Sequence, residues 1–197
     1  MPKVNLKISS LLLDHHNPRI PQAESQREAI QSILDEQQEK LANLADSIVE
    51  EGLSPADNVL VMRSPDDDKK FIVLEGNRRI AAVKIMHNIN VLSDLRISPA
   101  LRKRFEKAAR EFKAENVEPI SCFELSREEA NPWIQRRHTG EDGGCGIVRW
   151  DGQAAARFRG DDPALQALKF VLDHGNLTEE QTALLSGRFA GLWNVPA

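Results

Sequence analysis

The chain has 197 residues, of which 41% are apolar and 28% charged, with a formal net charge of −4. That length allows one sizeable core, or one domain with a small appendage, and the composition is ordinary for a globular protein. It excludes a membrane span, since no apolar run nears the roughly 18 residues needed, and the acidic balance argues against a protein that coats nucleic acid by charge alone. Met1-Pro2-Lys3-Val4-Asn5 opens no secretory apolar stretch, so a cytoplasmic protein is expected. Cys122 and Cys145 lie in unlike contexts without metal-ligand spacing. A structural disulfide is not expected in a reducing compartment.

Val4 to Ile8 alternates apolar and polar residues and predicts a first strand. Ser9 to Asp14 follows as a turn. His15-His16-Asn17-Pro18-Arg19 is extended, because a residue before proline avoids the α region. Neighbouring histidines on an extended chain point apart, which disfavours a shared metal ion. Residues 26–51 read as one long helix, with Ile30, Ile33, Leu34, Leu41, Leu44, Ala45 and Ile48 forming a continuous apolar stripe and Gly52 ending it. Asn58 to Met62 is a second strand. The acidic turn Ser64-Pro65-Asp66-Asp67-Asp68 matches no calcium loop and leads into Phe71 to Leu74, so the two strands form a hairpin with a longer loop.

Glu75-Gly76-Asn77 breaks that strand, and Arg78 to Met86 then repeats apolar residues at helical spacing. A strand therefore runs through a glycine turn into a helix, and amides at a helix start attract anions. Arg78 and Arg79 in the first turn oppose the helix dipole, at about 0.3–1 kcal/mol each, which calls for a negative partner. A phosphate-bearing ligand is one answer. Pairing with nearby acids such as Glu75 in water is the other. No Gly-x-x-x-x-Gly-Lys-Ser/Thr pattern occurs in the chain.

Ser98-Pro99 starts a further helix, with Leu101, Phe105, Ala108, Ala109 and Phe112 on its apolar face. From Leu101 to Lys113 six cations stand against two acids, a local +4 on an acidic chain. Such a basic helix suits a nucleic-acid contact, although a solvated face is the commoner explanation. Val117 to Leu125 predicts a strand, placed at an edge by Pro119. Ser126 to Glu129 is a capping box opening a helix that meets Pro132, where it is expected to kink or restart, and continues to His138. Arg136-Arg137-His138 borders a loop with Gly140, Gly143, Gly144 and Gly146, a loop able to fold over a ligand or simply to lie in solvent. Cys145 in that loop has no general base fixed beside it in sequence. Asp151 to Ala197 reads as wholly helical, with Pro163 opening one helix and Thr178 to Gln181 capping another. Glu179 and Glu180 make the latter poor chemistry for a recognition helix.

Leu74-Glu75-Gly76-Asn77-Arg78-Arg79-Ile80-Ala81-Ala82 resembles the GERRxxA box of the ParB/sulfiredoxin superfamily, with Asn77 where that box carries glutamate. Asn17-Pro18-Arg19 resembles the NPR element of ParB N-terminal domains, and Leu41 to Leu53 resembles the helix between the two. The resemblance spans about residues 4 to 90. It implies an α+β fold, a small mixed sheet with flanking helices, followed here by a helical C-terminal appendage. In ParB proteins the box binds the triphosphate of CTP with Mg²⁺. In sulfiredoxins the same position carries a catalytic cysteine, which this chain lacks. The glutamate–asparagine pair that completes the metal site in ParB proteins is also absent near Arg137, which puts Mg²⁺ coordination and CTP preference in doubt.

Two domains are expected, residues 1–140 for nucleotide or phosphate and 141–197 for the glycine-rich loop and helices. The function implied by the resemblance is binding of a nucleoside triphosphate, CTP or ATP, with hydrolysis, in a DNA-associated bacterial or phage setting. Gly76, Asn77, Arg78 and Arg79 would hold phosphate, Arg19, Arg137 and His138 would close the site, and Glu75 and Asn77 would be catalytic. Mg²⁺ is the expected cofactor. The alternatives are a ParB-like DNA nuclease and a non-catalytic interaction module. DNA contact, a homodimer, a partner protein and further domains in a longer protein stay open.

Overall fold

Alternation of fully and half-buried residues along short apolar segments builds a mixed sheet, and helices cover its faces. The computed structural model describes residues 1–17, 23–160 and 162–189 and divides the chain into units of residues 1–138 and 139–197. The first unit contains β1 (Lys3–Leu6), β2 (Leu11–Leu13), α1 (Gln26–Gln37), α2 (Glu39–Glu51), β3 (Val59–Arg63), β4 (Phe71–Glu75), α3 (Asn77–His87), α4 (Pro99–Glu111), β5 (Ile120–Glu124) and α5 (Arg127–His138). The described strands form one sheet in the order β1-β5-β3-β4-β2. The β1/β5 and β3/β4 pairs are antiparallel, and β3/β5 and β2/β4 are parallel.

One sheet face carries Val59, Val61, Phe71, Val73, Leu11, Leu13, Ile120 and Cys122 into a core shared with α1 to α4. Helix α3 runs through that core, with Ile80, Ala81, Ala82, Val83 and Ile85 all fully buried. It has no polar face except at its ends, so its position is fixed from several sides. Phe105 anchors α4 at 0% exposure, and truncating such a side chain to alanine typically costs about 3–5 kcal/mol. The opposite face packs Leu74 against Leu125 and Ala130, flanked by Leu60, Met62, Ile72 and Ile134, and so seats α5. Burial drives the Cys122 thiol up to about 12, which leaves it an inert core residue.

Several expectations are corrected. Leu11 to Leu13, read as part of a turn, is a parallel edge strand beside β4, held by Gln26, whose side chain accepts from Leu13 N–H at 2.7 Å and donates to its carbonyl at 2.9 Å. The long helix is two helices broken at Gln38, whose φ of 41° and ψ of −118° no helix can carry. β5 is internal rather than an edge, because Pro119 precedes its first paired residue and removes no bond from the ladder. α5 passes through Pro132 as one helix, and its capping box forms as expected, with Ser126 and Glu129 bonding each other's amides.

The second unit contains α6 (Gly152–Arg159), α7 (Pro163–His174) and α8 (Glu179–Phe189). Asp151 and Asp162 cap the first two, and Thr178 and Gln181 form the reciprocal box of the third. The glycine-rich loop belongs to this unit and contains a single short 3-10 turn over Asp142–Gly144.

Gln38 occupies a backbone region that glycine tolerates and other residues do not. Gln38→Gly is expected to stabilise the protein by about 1 kcal/mol, read as a higher urea midpoint at unchanged slope.

Candidate functional site

The site begins where β4 leaves the sheet. The register slips between Leu60 and Val61, which pair with Glu75 and Val73, so β4 is bulged just before it ends. Gly76 then adopts φ 100° and ψ 11°. A Cβ there would sit 3.2 Å from Arg79 Nη2 and 3.4 Å from Val59 Cγ2, so both conformation and space favour glycine. Helix α3 starts at once: Ile80 N–H bonds the Gly76 carbonyl at 3.0 Å. Glycine offers no side-chain cap, and the first turn holds no acid. Among the described residues, no side chain caps this turn to offset the positive end of the helix dipole.

The two arginines of the box have opposite fates. Arg79 turns inward, 9% exposed, beneath Gly76. Its Nη1 meets Asp57 Oδ2 at 2.8 Å, and its Nη2 lies 3.8 Å from Glu75 Oε1 and donates to the Asn58 carbonyl at 3.4 Å. Its Nε is buried without a hydrogen-bond partner among the described residues. Burial presses this guanidinium below its ordinary value, and Glu75 opposes the shift. Arg78 is exposed, and its Nη1 reaches Gln37 Oε1 at 3.3 Å, at the end of α1.

The same two carboxylates receive the end of α5. Arg137 pairs with Asp57 through Nη2 and with Glu75 through Nε at 3.4 Å, while His138 Nε2 meets Glu75 Oε2 at 2.9 Å. The sequence thus brings Glu75, Arg79, Arg137 and His138 together, but as a network closed by Asp57. Two carboxylates balance two guanidinium groups, and His138 adds a charge only when protonated. Half-buried carboxylates facing cations bind them more firmly than surface pairs do.

Asn77 stands elsewhere in the arrangement. Its side chain is 5% exposed; Oδ1 accepts from Asp14 N–H at 2.9 Å, and Nδ2 donates to the Val73 carbonyl at 2.7 Å. Its side-chain amide bonds backbone groups on both sides, so this side chain ties the segment after β2 to β4 and leaves the backbone N–H of Asn77 in the first turn of α3 untouched. Asp14, 2% exposed, in turn takes a two-pronged pair from Arg127, at 2.8 Å on each oxygen. That pair holds the guanidinium above its usual value, chiefly through the hydrogen bond and against burial. Arg19 lies outside the described residues.

Sequence reasoning missed Asp57, Asp14, Arg127 and Gln37. Asp57 sits in an ordinary polar loop before β3, and only the closeness of β3 to β4 gives it a role. Arg127 follows a capping serine and looks like surface. No group of three His, Cys, Asp or Glu side chains among the described residues is placed to hold a metal ion. Both carboxylates at the turn are taken by guanidinium groups, so the residues present do not fit a protein-built Mg²⁺ cage.

A mixed sheet whose bulged strand runs through a left-handed glycine into a buried helix makes the first unit an α+β domain. Residues 14–110 match the family model described as the ParB N-terminal domain, and over that stretch the chain is a ParB-like N-terminal domain. Among solved structures, the C-terminally truncated chromosome-partitioning protein ParB from Caulobacter crescentus, complexed with CTP-gamma-S, is similar at 16% identity and a TM-score of 0.41, covering 95% of this chain and 72% of that one. The nucleotide analogue is that protein's ligand. No curated protein matches the chain significantly. No helix of the described residues is long and apolar enough to cross a membrane.

Asn77→Ala removes one acceptor and one donor and strands Asp14 N–H and the Val73 carbonyl in the interior. The expected loss is about 1–3 kcal/mol of stability by chemical denaturation. A change within a few tenths would show that Asn77 does not pin β2 to β4.

Proposed function

We propose that the β4–Gly76–α3 turn binds the phosphates of a nucleoside triphosphate, CTP or ATP. The observation that carries the reading is the opening of α3: a left-handed glycine, no side-chain cap, no acid in the first turn, and an exposed arginine beside it. Backbone amides and the dipole favour an anion there. Arg78 supplies a guanidinium fork suited to phosphate oxygens. Arg79 stays beneath Gly76 and holds the turn in shape.

Arg137 and His138 join the phosphates by exchanging partners, since an entering triphosphate competes with Glu75 and Asp57 for them. Arg19 is the remaining contact that the family resemblance implies. Glu75, freed of part of its network, is then the carboxylate nearest the phosphates and can orient a water for hydrolysis. Mg²⁺ would have to be held by the nucleotide rather than by a protein-built site, where it would supply charge neutralisation. A DNA-associated bacterial or phage setting and a homodimer belong to the same proposal, on the strength of the family.

Titration calorimetry with CTP, ATP and GTP, with and without Mg²⁺, tests it. One nucleotide should bind in the micromolar range, and Arg78→Ala should weaken it about 10- to 100-fold, the loss of a charge-assisted contact of about 1.5–3 kcal/mol. Absence of binding by all three would overturn the nucleotide reading. Plasmid cleavage by a protein that binds none of them would transfer the site to a DNA phosphate.

A further inference from the structure

We propose that Lys84 is an acylation site that accepts the acyl group of an acyl phosphate, with the ammonium of Lys70 beside it holding the phosphate that departs. Lys84 stands in the last turn of α3, half-buried between the fully buried Val83 and Ile85. A lysine so placed lays its methylene stem on apolar neighbours and keeps its amine at the water. Among the described residues, the polar side-chain atom sealed off without a partner is Arg79 Nε. Lys84 has neither an ion pair nor a side-chain hydrogen bond among those residues. His87, the other basic residue of this turn, is exposed.

Lys70 comes to the same place from the end of the loop between β3 and β4. Its backbone is held twice: its N–H donates to the Asp67 carbonyl at 3.0 Å, and its carbonyl accepts from Ser64 N–H at 2.9 Å. Its Nζ donates to the Ser9 carbonyl at 2.8 Å, on the 3-10 turn Ile8–Ser10 against which α3 packs. Among the described residues no carboxylate pairs with either amine. Two cations therefore meet at one edge of the core with no acid between them. Burial first, and Lys70 second, press the Lys84 ammonium below its ordinary value. Both causes favour the free amine, the form that attacks a carbonyl carbon.

An ammonium has three donors, and Lys70 uses one on Ser9, which leaves two for phosphoryl oxygens. An acyl phosphate thus meets a cation for its phosphate and, next to it, an amine for its acyl carbon. Lys84 Nζ adds to that carbon and an N–C bond forms. The bond from the acyl carbon to the bridging oxygen breaks, its electron pair leaves with inorganic phosphate, and the surplus proton on nitrogen passes to water. Nothing is oxidised or reduced. The amide product removes a charge that Lys70 repels, and no ion pair among the described residues is lost with it. Gly76 lies at the other end of α3, about 12 Å away along its axis, so the site stands without the nucleotide reading.

Incubation of the full chain with acetyl phosphate, followed over time by site-resolved mass spectrometry, tests it. Lys84 should be acetylated several-fold faster than the exposed Lys103 and Lys107 of the same molecule. Inorganic phosphate, added at constant ionic strength, should slow Lys84 alone by competing for Lys70. Lys70→Gln should bring Lys84 down to the rate of the exposed lysines, while Lys70→Arg, which keeps a cation, should retain most of the difference. Acetylation of Lys84 no faster than that of Lys103 and Lys107 would overturn the inference. So would a Lys84 rate that inorganic phosphate leaves unchanged, a result read on the wild type and independent of how any variant folds. A rate that survives Lys70→Gln in a protein with an intact circular-dichroism melt would overturn it as well.

Discussion

A guanidinium buried under a glycine sets the terms for this domain. Arg79 lies beneath Gly76 and cannot be left uncompensated, so Asp57 and Glu75 must come to it from the loop before β3 and from the end of β4. Those carboxylates also draw in Arg137 and His138, which ties the last turn of α5 to the same place. One buried charge thereby joins β4, α3, the β3 entry and α5. Removing either acid would leave two guanidinium groups sharing one carboxylate in a half-buried place, an excess of charge that is usually strongly destabilising.

A second set of contacts does for the backbone what this network does for the charges. Asn77 joins Asp14 to Val73, and Asp14 holds Arg127 at the head of α5. Helix α5 is therefore fastened at both ends by arginines to acids, while its middle buries little beyond Ala130. Polar clamps replace hydrophobic burial as the means of holding it. An anion arriving at the first turn of α3 meets a site whose cations are already engaged, and it must compete for the outer ones. Arg78, outside the network, is the cation open to it from the start.

Much of the fold was legible because its signals are local. The β3–β4 hairpin, the break at Glu75 to Asn77, the serine–proline start of α4 and the box at Ser126 all rest on residues within a few positions of each other. The misses are those that depend on distant partners. Leu11 to Leu13 is too short to declare itself and becomes a strand through parallel pairing with β4. Gln38 breaks a helix inside an unbroken apolar stripe, with no glycine or proline to mark the place. At the site, two adjacent arginines sit about 100° apart around the helix and meet different surroundings, one buried and one exposed. The sequence does not say which. Asp57 and Arg127 gain their roles only once the sheet has brought separate segments together.

The claim that the first turn of α3 receives the phosphates is tested most directly by amide chemical shifts. ¹⁵N-labelled protein titrated with the preferred nucleoside triphosphate should show its largest changes at the amides of Gly76, Asn77, Arg78 and Arg79, with the side-chain Nε of Arg137 moving as it changes partners. Shifts confined to other segments, with these amides unmoved at saturation, would contradict the account.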